Sequence, residues 1–195
     1  ENKDALQDGT LVCVDAGCEY GMYTADVTRT WPVNGKFTSA QAALYQVVLD
    51  SQEAAIAQAR VGNTWRSIHK VAARVLTEGM IRVGLLEGEV DDIMADESYK
   101  RWFMHGTSHW LGLDVHDVGS YFDEGESRVL EPGMVLTVEP GLYVPEDAED
   151  APEQFRGIGI RIEDDVLITE DGNRVLTAAA PKTISEIETV MAADA

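Results

Sequence analysis

Four carboxylates stand at the ends of, or inside, apolar stretches that are typical of β-strands. Asp15 ends the run LVCVD, Asp26 lies within YTADVTRT, Glu139 ends VLTVE, and Glu163 ends IGIRIE. Any one of them could be an edge or loop carboxylate, because acidic side chains are mostly exposed. The repetition of the same setting instead favours a group of carboxylates with a shared chemical role.

Three of the four histidines lie close together, in the segment MHGTSHWLGLDVHD. They are His105, His109 and His116, and glycines flank the aromatic and apolar residues between them. Imidazole binds metals and carries protons near neutral pH, so three together favour function over the structural role common for a single histidine. The fourth, His69, lies on a predicted helix, where we expect an ordinary surface or packing residue.

Four carboxylates and one neutral imidazole suit two divalent cations, because four negative charges balance two such ions. Without cations the carboxylates would repel one another, and some of their pKa values would rise. Oxygen-rich ligation with one nitrogen favours manganese, cobalt, iron or zinc over a thiolate-bound zinc site. Paired ions activate a water molecule and hold a reacting carbonyl, so hydrolysis is predicted. A glycosidase with a carboxylate pair would not need the histidines.

The elements that must position these residues follow an α+β order rather than strict strand–helix alternation. Residues 11–15 and 23–30 predict a hairpin of two strands. Thr38 and Ser39 can cap a helix over 40–60, and Asn63 and Thr64 a second helix. Later patterns predict a short helix and a terminal helix, at 90–96 and 184–192, and strands at 135–139, 158–163, 166–169 and 175–177.

Alternation within two of these strands separates a core face from a chemical face. In 158–163 the three isoleucines share one side, while Gly159, Arg161 and Glu163 share the other. In 135–139 the apolar pair Leu136 and Val138 alternates with the side that bears Glu139. Both strands therefore predict carboxylates aligned opposite the core.

Bulk properties exclude several classes of protein. A chain of 195 residues fits one domain with a real core. The net charge of −20 argues against nucleic acid as a partner. No apolar run is long enough to span a bilayer, and no secretory signal begins the sequence. Cys13 and Cys18 predict free, buried or half-buried thiols in a reducing cytoplasm.

Four segments together resemble one known family: DAGCEY…TADVTRTWPVNGKF, HGTSHWLGLDVHDVG, LEPGMVLTVEPGLY and GIGIRIEDDVLIT. They are similar to the catalytic domain of bacterial Xaa-Pro aminopeptidases, which are pita-bread metallopeptidases. The resemblance runs from about Leu11 to the C-terminal region. It implies an α+β fold in which helices cover a curved antiparallel sheet. Residues 1–195 would form a catalytic domain that is incomplete at its N-terminal end.

The resemblance also implies the metal ligands: Asp15, Asp26, His109, Glu139 and Glu163. Asp26 and Glu163 would bridge two ions, with Asp15 on one ion and the other two ligands on the second. All five are present, which argues against the creatinase-like branch that has lost its ligands. The histidine block favours aminopeptidase P over methionine aminopeptidase.

Further roles follow from the same resemblance. His116 would hydrogen-bond the scissile carbonyl and stabilise the tetrahedral intermediate, and His105 would line the pocket for proline. Glu139 would also accept a proton from water and pass it to the leaving nitrogen. Arg161 would orient the ligands, with a simple strand salt bridge as its alternative. Tyr143 would form a wall of the site, with packing as its alternative.

The implied activity is release of the first residue from peptides with proline at the second position, through a metal-bridging hydroxide. The implied cofactors are two divalent metal ions. Manganese is the first choice, with cobalt, zinc or iron as alternatives. A prolidase-type dipeptidase and a non-catalytic peptide-binding module are the other interpretations. The partners would be the peptide and, for the full-length protein, a homo-oligomer, without nucleic acid or membrane. Because the family's N-terminal domain and an upstream histidine are absent, we expect weak or no activity from this chain alone.

Overall fold

The computed structural model describes residues 5–193, which form short antiparallel strands and four helices. The first part of the chain contains β1 Leu11–Ala16, β2 Glu19–Tyr20, β3 Tyr23–Thr24, β4 Val27–Pro32, α1 Ser39–Gln58, α2 Trp65–Val83, α3 Val90–Asp96 and a 3-10 helix Ser98–Arg101. The second part contains β5 Phe122–Asp123, β6 Glu126–Ser127, β7 Val135–Val138, β8 Gly141–Tyr143, a 3-10 helix Glu153–Phe155, β9 Gly159–Arg161, β10 Asp164–Thr169, β11 Gly172–Val175 and α4 Ile184–Ala193.

The predicted hairpin exists, but its second strand is interrupted. Strands β1 and β4 pair antiparallel, with Asp15 opposite Thr28. The expectation of one strand over 23–30 is wrong, because the chain leaves the ladder between β3 and β4 at Ala25 and Asp26. There the Asp26 N–H donates to the side-chain Oδ2 atom of Asp165 at 3.2 Å instead of to a backbone carbonyl of a paired strand. Asp26 therefore lies just before β4 rather than inside a strand.

Glycine at position 17 permits this interruption. A Cβ atom added to Gly17 would lie 1.6 Å from the carbonyl oxygen of Ala25. No larger residue could let the two arms approach so closely, since real Cβ atoms keep to van der Waals distances. The close approach sets the spacing between Asp15 and Asp26 on the two arms.

Two further groups of strands carry the glutamates. Strands β11, β10 and β7 form a three-stranded antiparallel sheet in that order, and β8 pairs with β9. The strand predicted at 158–163 is shorter, so Glu163 lies in the short link between β9 and β10. The strand predicted at 175–177 is also misplaced, because Thr177 turns inward to accept a hydrogen bond from the Asp165 N–H.

Helices α1 and α2 pack together and cover the strands. Thr38 caps α1 through a capping box with Gln41, as its position predicted. Thr64 precedes α2 without a side-chain cap. One apolar core lies between the helices and β8–β9, and the other between the helices and β7–β10. The predicted α+β arrangement of helices on antiparallel sheets is confirmed.

The predicted alternation along the strands is also confirmed. Ile160 and Ile162 are completely buried in one core, as are Leu136 and Val138 in the other. Burial of each such side chain contributes about 1.5–3 kcal/mol to folding. This apolar anchoring fixes the direction in which Glu139 and Glu163 point.

The two cysteines are free, but they are exposed rather than buried. Strand β1, which carries Cys13, pairs only with β4 in the part of the chain that the structure describes. Across residues 5–193, no helix has both the length and the apolar character needed to cross a membrane.

Candidate metal centre

The ends of three strands deliver three of the predicted ligands to one place. Asp26 immediately precedes β4, Glu139 immediately follows β7, and Glu163 immediately precedes β10. His109 arrives on a segment that lies alongside β7, since the Thr137 N–H donates to the His109 carbonyl at 3.0 Å. The Glu139 N–H similarly donates to the carbonyl of Thr107 at 2.8 Å. Strand β7 therefore positions both Glu139 and the histidine segment.

His109 lies among three carboxylates. Its Nε2 atom is 3.3 Å from Glu139 Oε1, 3.5 Å from Asp26 Oδ2 and 4.0 Å from Glu163 Oε1. One ligand atom each from Asp26, His109 and Glu163 lie within 4.8 Å of one another. The structure thus brings four of the five predicted ligands together.

Asp15 lies at the edge of this group. Its side chain is 47% exposed, and its Oδ2 accepts a hydrogen bond from Arg161 NH2 at 2.5 Å. Burial raises the pKa of the Asp26 carboxyl, and the nearby Asp15 carboxylate raises it further. The fifth predicted ligand therefore adjoins the cluster without being part of its buried centre.

The chemistry of the donor set fits divalent cations. Burial, with Glu139 nearby, raises the pKa of Glu163 to about 9. Burial also raises the pKa of Glu139 to about 7, and that of Asp26 to about 6. Buried carboxylates crowded in this way need compensating positive charge. Oxygen atoms with a single imidazole nitrogen are suited to manganese and similar ions.

Two threonines, which sequence analysis missed, hold the glutamates. Thr28 Oγ1 donates to Glu163 Oε2 at 2.5 Å, and Thr137 Oγ1 donates to Glu139 Oε1 at 3.1 Å. The same Thr137 oxygen accepts from the His109 N–H at 3.1 Å. Thr137 lies two residues before Glu139, so the alternation of the strand was a signal that could have identified it.

The ring of His109 is oriented by its own neighbour. Its Nδ1 atom donates to the carbonyl of Trp110 at 3.0 Å, because a carbonyl can only accept. This bond fixes the ring so that Nε2 faces the carboxylates, which is the orientation that metal-bound histidines use.

Arg161, Tyr143 and His105 form one hydrogen-bonded group beside the cluster. Arg161 NH1 donates to the Tyr143 hydroxyl at 3.2 Å, and that hydroxyl lies 2.8 Å from His105 Nε2. Because His105 Nδ1 donates to the Gly106 carbonyl, Nε2 is free to accept from Tyr143. Burial lowers the pKa of His105, which favours this neutral form. Arg161 also donates to Thr28 at 3.1 Å and so touches the support of Glu163.

The remaining histidines differ in exposure. His116 is exposed, and its ring lies 4.3 Å from the ring of His109. His69 is half-buried and its ring packs against Phe103. Its Nδ1 atom lies 2.8 Å from the Thr107 hydroxyl oxygen, within hydrogen-bond distance. The structure thus places His69 in the packing role that was expected, behind the histidine segment.

A buried ion network behind the cluster was not anticipated. Arg29 NH2 pairs with Asp164 Oδ1 at 2.7 Å, and Lys182 Nζ pairs with Asp164 Oδ2 at 2.8 Å. Burial alone would raise the pKa of Asp164, but the positive charges of Arg29 and Lys182 hold it below its usual value. Arg29 NH1 also donates to the carbonyl of Glu163 at 2.6 Å. The network therefore anchors the backbone that carries Glu163.

Comparison with known proteins agrees with this geometry. Residues 1–170 match metallopeptidase family M24. The chain is 54% identical over 193 residues to an Xaa-Pro aminopeptidase of Escherichia coli, covering 99% of this chain and 43% of the relative. The solved structure of Pseudomonas aeruginosa aminopeptidase PepP is 51% identical to this chain, with a TM-score of 0.98. The match covers 99% of this chain and 44% of PepP.

A zinc-substituted E. coli aminopeptidase P, solved in complex with product, is 53% identical with a TM-score of 0.96, covering 100% of this chain and 44% of that one. The chain thus spans less than half the length of these relatives. The expected resemblance and the pita-bread fold are confirmed, and divalent metals are characteristic of the family. This chain belongs to metallopeptidase family M24.

Proposed function

We propose that this chain is the catalytic region of a metal-dependent aminopeptidase that releases the first residue of peptides with proline at the second position. The observation that carries the proposal is the convergence of His109 with Asp26, Glu139 and Glu163. Relatives at about half identity that are named Xaa-Pro aminopeptidases support the choice of substrate.

The metal ligands in this proposal are Asp15, Asp26, His109, Glu139 and Glu163. Two divalent ions held by such a set supply a nucleophilic water and polarise the peptide carbonyl. Manganese is our first choice because the ligands are mostly carboxylate oxygens, with cobalt, zinc and iron as alternatives. Asp15 and Arg161 are hydrogen-bonded here, so we assign Arg161 to orienting that carboxylate.

Glu139 is the residue assigned to proton transfer. Its carboxylate is held by Thr137, faces His109 and is partly accessible to solvent. A carboxylate in this position can accept a proton from the attacking water and return it to the leaving proline nitrogen. Protonation is needed before that nitrogen can leave, because an unprotonated amine anion is a very poor leaving group.

Two histidines are assigned to the substrate. His116, exposed beside His109, can donate a hydrogen bond to the scissile carbonyl oxygen as negative charge develops there. His105 and Tyr143, linked at 2.8 Å, form a wall of the site for the proline ring. Both assignments depend on side chains that the fold holds next to Glu139 and Arg161.

The experiment compares metal binding and cleavage in matched variants. With manganese, the longer protein that contains this chain is expected to bind the metal and to release the first residue of Ala-Pro-Ala, but not of Ala-Ala-Ala. Glu139→Gln is expected to lose cleavage, whereas Glu131→Gln, an exposed residue just before β7, is expected to keep it. Cleavage of the dipeptide Ala-Pro would favour a prolidase-type enzyme instead.

The same experiment separates turnover from binding. The chain spans less than half the length of its relatives, and we propose that alone it binds metal but turns over slowly. Metal-independent peptide binding, with no release of the first residue by the longer protein that contains it, would favour the binding-module interpretation. A cytoplasmic location and a homo-oligomer are part of the proposal, to be tested by fractionation and by size-exclusion chromatography with light scattering.

A further inference from the structure

A second cavity, of about 350 Å³, opens beside the metal centre. We call it the basic groove; Trp65, Arg66, Lys100, Phe122 and residues 104–108 line it. Its wall is continuous with that of the cavity over the metal centre, because both include His105, Gly106 and Ser108. A peptide held at the centre can therefore extend into the groove.

The groove has an unusual charge for this molecule. The chain carries 35 acidic residues and a net charge of −20, yet among the described residues no Asp or Glu lines the groove. Lys100 lines the groove, but its Nζ already forms an ion pair with Glu97 Oε2 at 2.5 Å. Arg66 is exposed, and although Glu97 acts on it at longer range, within residues 5–193 no carboxylate lies within 4.0 Å of its guanidinium. Arg66 is therefore available to an anionic ligand.

The remaining wall suits a peptide chain. Phe122 is 48% exposed and Met104 is 56% exposed, so both offer apolar surface. The Ser108 hydroxyl is buried and lacks a hydrogen-bond partner among the described residues. Such an unpaired group is costly, and a backbone carbonyl or N–H of a ligand would satisfy it. Apolar walls with a few polar groups are typical of ligand sites.

A further cavity beside the metal centre is lined by Asp15, Glu19 and Asp26, and it shares His116 with the cavity over the centre. A peptide has a cationic amino terminus and an anionic carboxyl terminus. With Asp15 and Asp26 assigned to the metals, Glu19 is the remaining carboxylate on this side, so complementary potentials favour the amino end of the peptide here and its remaining residues toward the basic groove.

We propose that the basic groove binds the residues that follow proline, and that Arg66 selects a carboxylate among them. The inference rests on the proposed function, since it assigns the direction of the peptide across the same centre. The carboxylate comes either from an acidic side chain or from the carboxyl terminus of a short peptide.

Kinetics with charge-matched peptides test this selection. Amidated Ala-Pro peptides would carry Glu, Gln or Lys at the third, fourth or fifth position, and free-acid Gln peptides would report on the carboxyl terminus. An exposed ion pair of ordinary strength predicts a preference of about 2- to 5-fold for Glu over Gln at one position. The preference should lie in KM rather than kcat, and added salt should weaken it.

Variants on helix α2 assign the effect to one side chain. Arg66→Ala should abolish the preference for Glu, Arg66→Glu should reverse it toward Lys, and Arg66→Lys should restore much of it. Arg82→Ala is the matched control, because Arg82 lies on the same helix, is 63% exposed and is outside the groove. It should leave the preference intact.

A binding measurement makes the test independent of turnover. Calorimetry would compare amidated Pro-Glu-Ala-Ala with Pro-Gln-Ala-Ala on the wild-type chain and on Arg66→Ala. If no Xaa-Pro peptide is cleaved but the acidic peptide binds more tightly through Arg66, the proposed function fails and the groove assignment stands. If acidic and neutral peptides are cut and bound alike, or Arg82→Ala acts as Arg66→Ala does, the inference is wrong.

Discussion

At the scale of single residues, hydroxyl groups decide how the carboxylates point. Thr137 accepts from the His109 N–H and donates to Glu139, both at 3.1 Å. The Thr28 hydroxyl similarly donates a hydrogen bond to Glu163 and accepts one from Arg161. Partners that orient ligands in this way contribute to metal affinity although they do not touch the metal.

Thr137→Val should weaken manganese binding while the fold persists. The change keeps the shape of a fully buried side chain but removes the hydroxyl between His109 and Glu139. A loss of about 10- to 100-fold in metal affinity is expected, measured by isothermal titration calorimetry. Thr169→Val is the control, because that hydroxyl, at the end of β10, donates to the neighbouring Asp171 and, among residues 5–193, to no metal-centre residue. Equal affinities of Thr137→Val and wild type would contradict the assigned role.

At the scale of elements, three of the four carboxylate ligands lie where strands end, whereas Asp15 lies inside β1. Strand β4 begins just after Asp26, β7 ends just before Glu139, and β10 begins just after Glu163. The ladders place the backbone, and the side chains beyond them are free to turn toward a common point. The interior network around Asp164 then ties β10 to β4 through Arg29, and to α1 through Gln52 at 2.8 Å.

Asp164→Asn should destabilise the protein strongly. It removes one partner of a buried ion network and leaves Arg29 and Lys182 without their common counter-charge. Breaking a buried pair in this way costs about 3–5 kcal/mol of unfolding free energy, measured by urea denaturation. Asp150→Asn, which breaks the exposed pair with Arg101, should change stability little. Similar losses in both variants would show that the network is not structurally important.

Gly17→Ala should disturb the hairpin that carries Asp15 and Asp26. The new Cβ would collide with the Ala25 carbonyl, so the two arms would have to separate. We expect a loss of about 1–3 kcal/mol in stability together with weaker manganese binding. Gly159→Ala is the matched control, since its Cβ would make only an ordinary contact with Tyr143 at 3.5 Å. A Gly17→Ala protein with wild-type thermal stability and metal affinity would refute this account.

At the scale of the whole molecule, folding concentrates negative charge in one buried place. The helices and two apolar cores force the carboxylates out of water, and their pKa values rise in consequence. The metal-free protein therefore stores electrostatic repulsion that divalent cations would relieve. Metal binding and stability should accordingly be linked.

The metal-free protein should become less stable as pH rises from about 5 to about 8. Glu163, Glu139 and Asp26 have folded pKa values of about 9, 7 and 6, above their unfolded values. The folded state thus binds more protons than the unfolded state in this window, and stability falls with increasing pH. Thermal unfolding with a chelator would measure this slope, and saturating manganese should reduce or reverse it.

A variant isolates the main contributor to that slope. Glu163→Gln removes the carboxyl group with the most strongly raised pKa of the three, so its metal-free stability should depend less on pH. Glu131→Gln, exposed and remote from the cluster, should retain the wild-type profile. A wild-type profile that is flat, or that rises with pH in the chelator, would contradict the raised pKa values of these carboxyl groups.

Local sequence patterns are sufficient to show which residue types could bind metal and which face of each strand they occupy. Period-two alternation is a local property, so the burial of Ile160 and Ile162 opposite Arg161 could be predicted without the fold. The cap at Thr38 is local for the same reason. The order of the five ligands along the chain similarly identified the family.

The surroundings of those ligands, in contrast, come from contacts between segments that are distant in the sequence. The bond from Thr28 to Glu163 joins residues 135 positions apart, and that from Arg29 to Asp164 also spans 135. The strand breaks at Asp26 and Glu163 depend on such distant partners, which propensity does not report. The basic groove likewise arises where α2 meets the histidine segment. Contacts between distant segments depend on how the cores pack, and packing is a property of the folded chain.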